Sequence, residues 1–299
     1  MSFVYKYQTV DGYGRYMWAE KVFKSQPELF KYLVEEKELV FSQKKSITKR
    51  AEGGLSATFA TLWEMPKNTS YKAKPLYEND KEAGVLKRTI LANTYWWMDS
   101  HSDVHLGRGD AGEEGTAVFT NSIKGRERKI PPIDQHNYSL DGRMGKTLKL
   151  YEAPISWRAL GVGKTGMTEG LFADAEIHKD MNERRYKDYL NDEIDQHSVG
   201  MNYVDIQLAV NDAEDYPKEY AVFQKYIAKL GNRQEAERKG YFFAVSEAKL
   251  GEYSAVIAGS NELTPTMGTP PPSGDTGKSA SGEANKGLME AINKLSQKL

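Results

Sequence analysis

The chain of 299 residues contains no cysteine. Disulfides, zinc–thiolate sites and cysteine nucleophiles are therefore excluded, and the composition fits a reducing compartment. The chain also has no surplus of charge, because 41 lysines and arginines oppose 42 aspartates and glutamates, for a formal net charge of −1. A dedicated nucleic-acid binder needs a basic surplus that neutralises phosphates, so the composition argues against nucleic acid as a partner.

Long hydrophobic runs are missing as well. No apolar run approaches the ~20 residues that cross a bilayer, and the N-terminus lacks the apolar core of a signal peptide. Hydrophobic residues make up 39% of the chain and charged residues 28%, which is typical of a globular protein. We therefore expect a cytosolic protein with no membrane partner and with one large domain or two small ones.

The N-terminal residues 1–50 predict a helical extension. Ser25 and Glu28 have the spacing of a capping box, with Pro27 in the first helical turn between them. Leu29, Phe30, Leu33, Leu39 and Val40 supply an apolar side. The basic run from Lys44 to Arg50 is interpreted as an exposed, solvated linker rather than a nucleic-acid arm.

The C-terminal part changes character at Thr264. Residues 264–286 are rich in Pro, Gly, Ser and Thr with almost no large apolar side chains, which predicts a flexible linker. Residues 287–299 carry leucine and isoleucine at spacings of four, three and four, which predicts a short amphipathic helix. A helix this short needs a partner to be stable.

Short β-prone runs separated by turns dominate the middle, residues 51–263. Strands are expected near Leu55 to Trp63, Leu148 to Leu160, Thr168 to Ile177, Val204 to Val210, Tyr241 to Val245 and Lys249 to Ala258. A helix from Pro217 is expected to end at a Gly231 cap. Many short β-prone runs separated by turns fit a β-barrel.

A serine lies between apolar flanks at the start of one of these strands, in Gln196-His197-Ser198-Val199-Gly200. A rigid strand can present a hydroxyl, and Gly200 permits another group to approach closely. Ser198 is therefore the candidate nucleophile, although an ordinary strand serine would have the same local sequence. A serine hydroxyl needs an adjacent base, most often histidine.

Five histidines could supply that base. His197 is adjacent, but neighbouring side chains in a strand point to opposite faces, so it should diverge from Ser198. His136 follows a short apolar run and precedes a turn, which ranks it modestly above His101 and His105. The latter two are spaced four apart among aspartates, so a metal-dependent hydrolase is an alternative if that segment is helical.

Three motifs in order resemble the tailed-phage prohead (procapsid maturation) serine proteases, which are related to the herpesvirus assemblins. The motifs are Ile133-Asp134-Gln135-His136, Ser198-Val199-Gly200-Met201, and Leu250-Gly251-Glu252-Tyr253-Ser254-Ala255-Val256 followed by Gly259-Ser260-Asn261. The resemblance covers roughly residues 50–265. It implies Ser198 as nucleophile, His136 as general base and Glu252 as the third member that orients the imidazole. It also implies an α+β fold, a mainly antiparallel β-barrel flanked by helices.

The same resemblance implies a biological role. A maturation protease acts in the host cytoplasm inside the procapsid, where it cuts the scaffold protein, extensions of the major capsid protein and finally itself. The chemistry needs no cofactor and no metal, and a homodimer is left open. Two departures from the family are a longer separation of Ser198 from Glu252 and the absence of arginine after the third motif. The rival hypothesis is a non-enzymatic scaffolding or interaction protein on the same fold.

Overall fold

A computed structural model describes residues 3–10, 16–46, 84–108 and 117–268. Ten strands lie in these ranges: β1 (Phe3–Val10), β2 (Tyr16–Phe23), β3 (Val85–Thr94), β4 (Asp103–His105), β5 (Pro132–Asp134), β6 (Gly145–Ser156), β7 (Met167–His178), β8 (His197–Val210), β9 (Tyr241–Ala255) and β10 (Thr266–Gly268). The α-helices of these ranges are α1 (Gln26–Glu35), α2 (Lys37–Ser46), α3 (Thr120–Ile123), α4 (Glu183–Leu190), α5 (Pro217–Tyr226) and α6 (Arg233–Lys239). The predicted α+β class is confirmed.

Strand β9 organises the sheet that carries the candidate site. β8 pairs with it in antiparallel register along its whole length, from Val210 opposite Tyr241 to His197 opposite Ala255. β4 and β5 pair with it in parallel, β4 near its start and β5 at its end. Because a strand has two edges and β8 occupies one, β4 and β5 must share the other.

A second sheet has the antiparallel order β10-β3-β7-β6. One continuous hydrophobic core joins both sheets, and its largest fully buried side chains include Tyr95, Phe119, Trp157, Phe242 and Tyr253. In the ranges that the structure describes, neither sheet closes on itself, so the predicted barrel is wrong there. Runs of β-prone residues fix which segments are strands, but they do not fix how sheet edges meet.

The N-terminal segment differs from the predicted helical extension, because a β-hairpin precedes its helices. β1 and β2 pair in antiparallel register from Phe3 opposite Phe23. The predicted helix start is present as the start of α1: the Ser25 side chain accepts from the backbone N–H of Glu28. The Tyr5 ring lies 6.4 Å from the Phe243 ring of β9, centroid to centroid. The N-terminal segment therefore packs into the same core as the sheet around β9, the central sheet.

Lys44 corrects the interpretation of the basic run as exposed. Its ammonium lies 2.6 Å from the Asp103 carboxylate, and the two side chains are 6% and 0% exposed. The Tyr203 hydroxyl donates to the other Asp103 oxygen at 2.7 Å, and the Phe243 ring lies under the ammonium. Lys44 therefore joins α2 to the central sheet. The rest of the run, residues 47–50, lies outside the described ranges.

Two predicted boundaries in the middle of the chain are also wrong. The two strands expected between Tyr241 and Ala258 form the single strand β9, because irregularities in the register near Asp205 keep the ladder with β8 continuous. The α-helix from Pro217 ends at Tyr226 and is followed directly by a 3₁₀ turn at Ile227–Lys229, so Gly231 does not cap the α-helix. A left-handed glycine cap is found instead at Gly240, with φ of 74°, at the end of α6.

The start of the predicted flexible linker is part of the fold. Thr264 is fully buried, and its hydroxyl donates to the His197 carbonyl at 2.7 Å while accepting from the His197 N–H at 3.0 Å. β10 then pairs with β3. The strand expected near residues 55–63, the remainder of the linker and the terminal helix at 287–299 all lie outside the described residues.

Candidate active site

The register of β8 against β9 gathers four small or acidic residues on one face of the sheet. Ser198 lies directly opposite Ser254, and Gly200 lies directly opposite Glu252. Residues two apart on a strand share a face, and directly opposite residues on paired strands share it too. Ser198, Gly200, Glu252 and Ser254 therefore occupy a common face. Ser198 is 6% exposed, Glu252 1% and Ser254 0%.

Gly200 provides the space for the carboxylate. A Cβ atom built at this position would lie 2.2 Å from Oε1 of Glu252 and 2.4 Å from the hydroxyl of Tyr138. Both distances are far below van der Waals contact, so a side chain here would displace the carboxylate. Glycine is required at this position by packing, and its backbone conformation is not the reason.

His136 reaches this face from the end of β5. The Gln135 N–H donates to the carbonyl of Ala255, and the chain then turns through two left-handed residues, Gln135 at φ 48° and His136 at φ 55°. Such conformations each cost about 1–3 kcal/mol in non-glycine residues and persist where surrounding contacts impose them. Arg185 of α4 contributes to this restraint, because its Nε lies 2.8 Å from Oδ1 of Asp134.

His136 and Glu252 form a buried, hydrogen-bonded pair. Nδ1 of His136 lies 2.6 Å from Oε1 of Glu252, and the two side chains are 4% and 1% exposed. An ionised carboxylate only accepts hydrogen bonds, so Nδ1 carries the proton. The other ring nitrogen, Nε2, then has its lone pair available, and it has no hydrogen-bond partner among the described residues. This is the tautomer that a general base requires.

Glu252 receives further hydrogen bonds on the same face. The Ser254 hydroxyl donates to Oε2 at 2.7 Å, and the Tyr138 hydroxyl lies 3.5 Å from Oε1, at the long limit for a hydrogen bond. A buried carboxylate is expensive unless donors satisfy its oxygens. With His136 and Ser254, each oxygen of Glu252 has one close donor, which accounts for a carboxylate held in the interior.

Ser198 has not formed a hydrogen bond to His136, since Nε2 lacks a partner within the described residues. Ser198 and His136 nevertheless share a neighbour, Ser254. Ser198 faces Ser254 across the ladder, and the Ser254 hydroxyl accepts from the backbone N–H of His136 at 3.0 Å. Contacts between nucleophile and base are often long before substrate binds, so this geometry is compatible with a Ser–His–Glu arrangement.

His197 lies on the opposite side of the strand, as strand alternation predicts. Its Nδ1 donates to the Thr264 carbonyl at 2.7 Å, and its Nε2 accepts from the Tyr189 hydroxyl at 2.9 Å. Burial lowers the pKa of His197 to about 4, against the raising effect of its contact with Thr264. Both ring nitrogens are engaged, so this histidine has no nitrogen left for Ser198.

The two histidines of the metal alternative do not share a helical face. His105 belongs to β4, where its Nδ1 lies 2.8 Å from the Asn93 amide and its ring packs on Phe119 and Tyr203. His101 precedes that strand, with Nδ1 3.8 Å from the Asp99 carboxylate. No cluster of three or more potential metal ligands occurs in the ranges that the structure describes. The alternative therefore gains no support from their placement.

Sequence reasoning missed two residues of this face, Ser254 and Tyr138, and one residue of the third motif lies away from it. Ser254 follows Glu252 at strand spacing, a signal that could have placed it beside the carboxylate. Tyr138 carried no comparable signal. Asn261, part of the third motif, lies apart from the pair: its amide donates to the carbonyl of Thr94 at 2.7 Å and anchors the loop after β9 to β3.

Comparison of the chain with protein-family models, with curated proteins and with solved structures gave no match. Across the residues with a described structure, no helix has the length and apolar character needed to span a membrane. The assignment of a function therefore depends on the geometry of the Ser198 face and on the motif resemblance.

Proposed function

We propose that this chain is a serine endopeptidase of the phage head maturation type, with Ser198 as nucleophile, His136 as general base and Glu252 as the group that orients the imidazole. One observation carries the proposal. The His136–Glu252 pair is buried and hydrogen-bonded at 2.6 Å, and it leaves Nε2 of His136 unpartnered within the described structure. Such a pair holds the ring in the tautomer that a general base needs, whereas both ring nitrogens of His197 are engaged.

In the proposed reaction, Oγ of Ser198 attacks the carbonyl carbon of the scissile peptide while Nε2 of His136 takes the hydroxyl proton. Glu252 accepts the hydrogen bond from the Nδ1–H group throughout and stabilises the imidazolium that forms. The imidazolium then gives its proton to the leaving amine, and an acyl-enzyme ester remains on Ser198. Water, deprotonated by the same imidazole, hydrolyses this ester and regenerates the serine hydroxyl. No cofactor takes part.

The proposed substrates follow from the motif resemblance. They are the scaffold protein, the extensions of the major capsid protein and the chain itself, cut inside the procapsid in the host cytoplasm. Neither nucleic acid nor membrane has a role in this proposal, and a homodimer stays open. The predicted linker within residues 264–286 would be an accessible place for self-cleavage only beyond Gly268, because Thr264 to Gly268 belong to the fold.

The test follows the intact mass of the purified full chain over time, with and without a chelator. Wild type is compared with Ser198→Ala, His136→Ala and Glu252→Gln, and His178→Ala serves as the matched histidine control outside the site. A fluorophosphonate probe is added in parallel, and labelling is mapped by mass spectrometry. The expected result is self-trimming and labelling at Ser198 in wild type and His178→Ala, and neither in the site variants.

Trimming that survives Ser198→Ala and His136→Ala would overturn the proposal. Trimming stopped only by chelator would favour the metal-dependent hydrolase. Wild type that shows neither trimming nor labelling, even with scaffold protein present, would favour the non-enzymatic scaffolding role.

A further inference from the structure

Ser254 lies at the centre of the hydrogen bonds that define the candidate site. Its hydroxyl oxygen is 2.7 Å from Oε2 of Glu252 and 3.0 Å from the backbone nitrogen of His136. It also lies 3.4 Å from Nδ1 of His136. The side chain is fully buried, and the residue is the direct cross-strand partner of Ser198.

The direction of these hydrogen bonds is fixed by chemistry. A hydroxyl has one hydrogen and two lone pairs, whereas an ionised carboxylate only accepts and a backbone N–H only donates. The Ser254 hydrogen must therefore go to Glu252, and a lone pair must receive the His136 N–H. Together with the Nδ1–Oε1 bond, these contacts form a closed ring from the His136 backbone through Ser254 and Glu252 to the His136 imidazole.

This ring of hydrogen bonds restrains two features that help to set the direction of the imidazole. One is the backbone of His136, whose left-handed φ of 55° needs an external restraint. The other is the rotation of the Glu252 carboxylate, which would be free to turn away from Nδ1 if only one oxygen were bound. Ser254 acts on both at once. Its hydrogen is already committed to a carboxylate, so it is ill suited to be the nucleophile itself.

We propose that Ser254 is a positioning residue, which locks the Glu252 carboxylate and the His136 backbone so that Nε2 keeps a fixed direction toward the face of Ser198. This role deepens the proposed serine protease function and rests on it for its effect on rate. Its structural part, the restraint of the His136–Glu252 pair, can be measured without any catalysis.

The test uses the full chain as wild type, Ser254→Ala, Ser254→Thr and Ser254→Cys. The threonine keeps the donor, and the cysteine keeps the volume with a much weaker donor. Ser246→Ala is the matched control, because Ser246 lies on the same strand and its hydroxyl donates to the carboxylate of Asp205, away from the site. Near-ultraviolet circular dichroism reports whether each variant is folded.

Two readouts are taken. The first is the nitrogen-edited proton NMR signal of the His136 Nδ1–H, expected as a low-field resonance in wild type, Ser246→Ala and Ser254→Thr, and as a broadened or displaced one in Ser254→Ala. The second is the saturating rate of fluorophosphonate labelling at Ser198. We expect a fall of ~10- to 100-fold in Ser254→Ala, as for small misplacements of a catalytic group, with the half-saturating probe concentration little changed and with rescue by Ser254→Thr.

If Ser254→Ala does not fold, Ser254→Cys takes its place and the same two effects are expected in weaker form. A Ser254→Ala or Ser254→Cys protein with the wild-type NMR signal and labelling rate would overturn the positioning role. If wild type is not labelled at Ser198, the protease proposal fails, and the NMR signal alone then decides whether Ser254 restrains the pair.

Discussion

Gly200 lies directly opposite Glu252 on the paired strand. Because Gly200 has no side chain, the Glu252 carboxylate has room beside it. The Glu252 carboxylate can therefore reach His136, whereas an alanine at position 200 would block it. This relationship gives the sharpest test of whether the face is a functional site.

Gly200→Ala is expected to lower the rates of labelling and trimming strongly while leaving most of the fold intact. The new methyl would lie 2.2 Å from Oε1 of Glu252, so the carboxylate must move and the bond to His136 must break. The expected loss in rate is ~100-fold or more, with a loss of about 1–3 kcal/mol in the free energy of unfolding. The control is Gly163→Ala, where a Cβ would meet no atom within 4 Å. Equal activities of the two variants would contradict the geometry.

Glu252→Gln is expected to keep the fold and to lower the labelling rate by ~10³- to 10⁴-fold, as the removal of charge from an orienting carboxylate does in serine protease triads. The amide can present its NH₂ group to Nδ1 of His136, which would move the ring proton to Nε2 and remove the base. Measurement of the labelling rate at several pH values checks this. Glu247→Gln, on the same strand and hydrogen-bonded to the Asn121 amide, is the control. A loss below tenfold in Glu252→Gln would argue against an orienting role.

Lys44→Met is expected to lower the free energy of unfolding by about 3–5 kcal/mol, because the buried carboxylate of Asp103 loses its cation. The double variant Lys44→Met with Asp103→Asn should recover part of that loss, since position 103 then carries no buried charge. Urea unfolding of the full chain measures both. Lys31→Met, from a solvent-exposed pair with Glu35, should change stability by less than about 0.5 kcal/mol. A Lys44 variant as stable as the Lys31 variant would show that the N-terminal segment is not docked.

His197 predicts a loss of stability on mild acidification. Its pKa is about 4 when folded, because of burial, against an ordinary value of 6.5. Between these values the unfolded state binds a proton that the folded state does not, so stability falls as pH drops from 6.5 through 4. A shift of this size corresponds to roughly 3 kcal/mol at the acid end. Urea unfolding at pH 7 and pH 4.5 should show a smaller drop for His197→Gln than for wild type, whereas His178→Gln should follow wild type.

Local patterns in the sequence predicted local structure well. The strands β7 and β8 and the start of α5 at Pro217 follow from apolar alternation and from proline at a helix start. Strand alternation also separated His197 from Ser198, since that rule depends only on adjacent positions. The hairpin of β1 and β2 was missed although Phe3, Tyr5 and Tyr7 alternate in the sequence, because the helix-start signal at Ser25 dominated the interpretation.

What the sequence could not provide is long-range pairing. Thr264 has the composition of a linker, yet its hydroxyl satisfies the buried backbone of His197, which no local pattern encodes. The bond between His136 and Glu252 is likewise invisible to composition, and only the order of motifs suggested it. In the part of the chain that the structure describes, the sheets do not close into the predicted barrel, because closure depends on edges that short β-prone runs do not specify.

The late position of β9 in the sequence has a consequence for synthesis. His136 and Glu252 are 116 residues apart, and β9 pairs with three strands made earlier. During translation, the imidazole of His136 has no carboxylate until nearly all of the described chain has left the ribosome, because N-terminal parts emerge and begin to fold first. A nascent polypeptide therefore lacks the pair entirely. If the pair is catalytic, its activity is withheld until translation of β9 is complete, and premature stop products that end before Glu252 are inert.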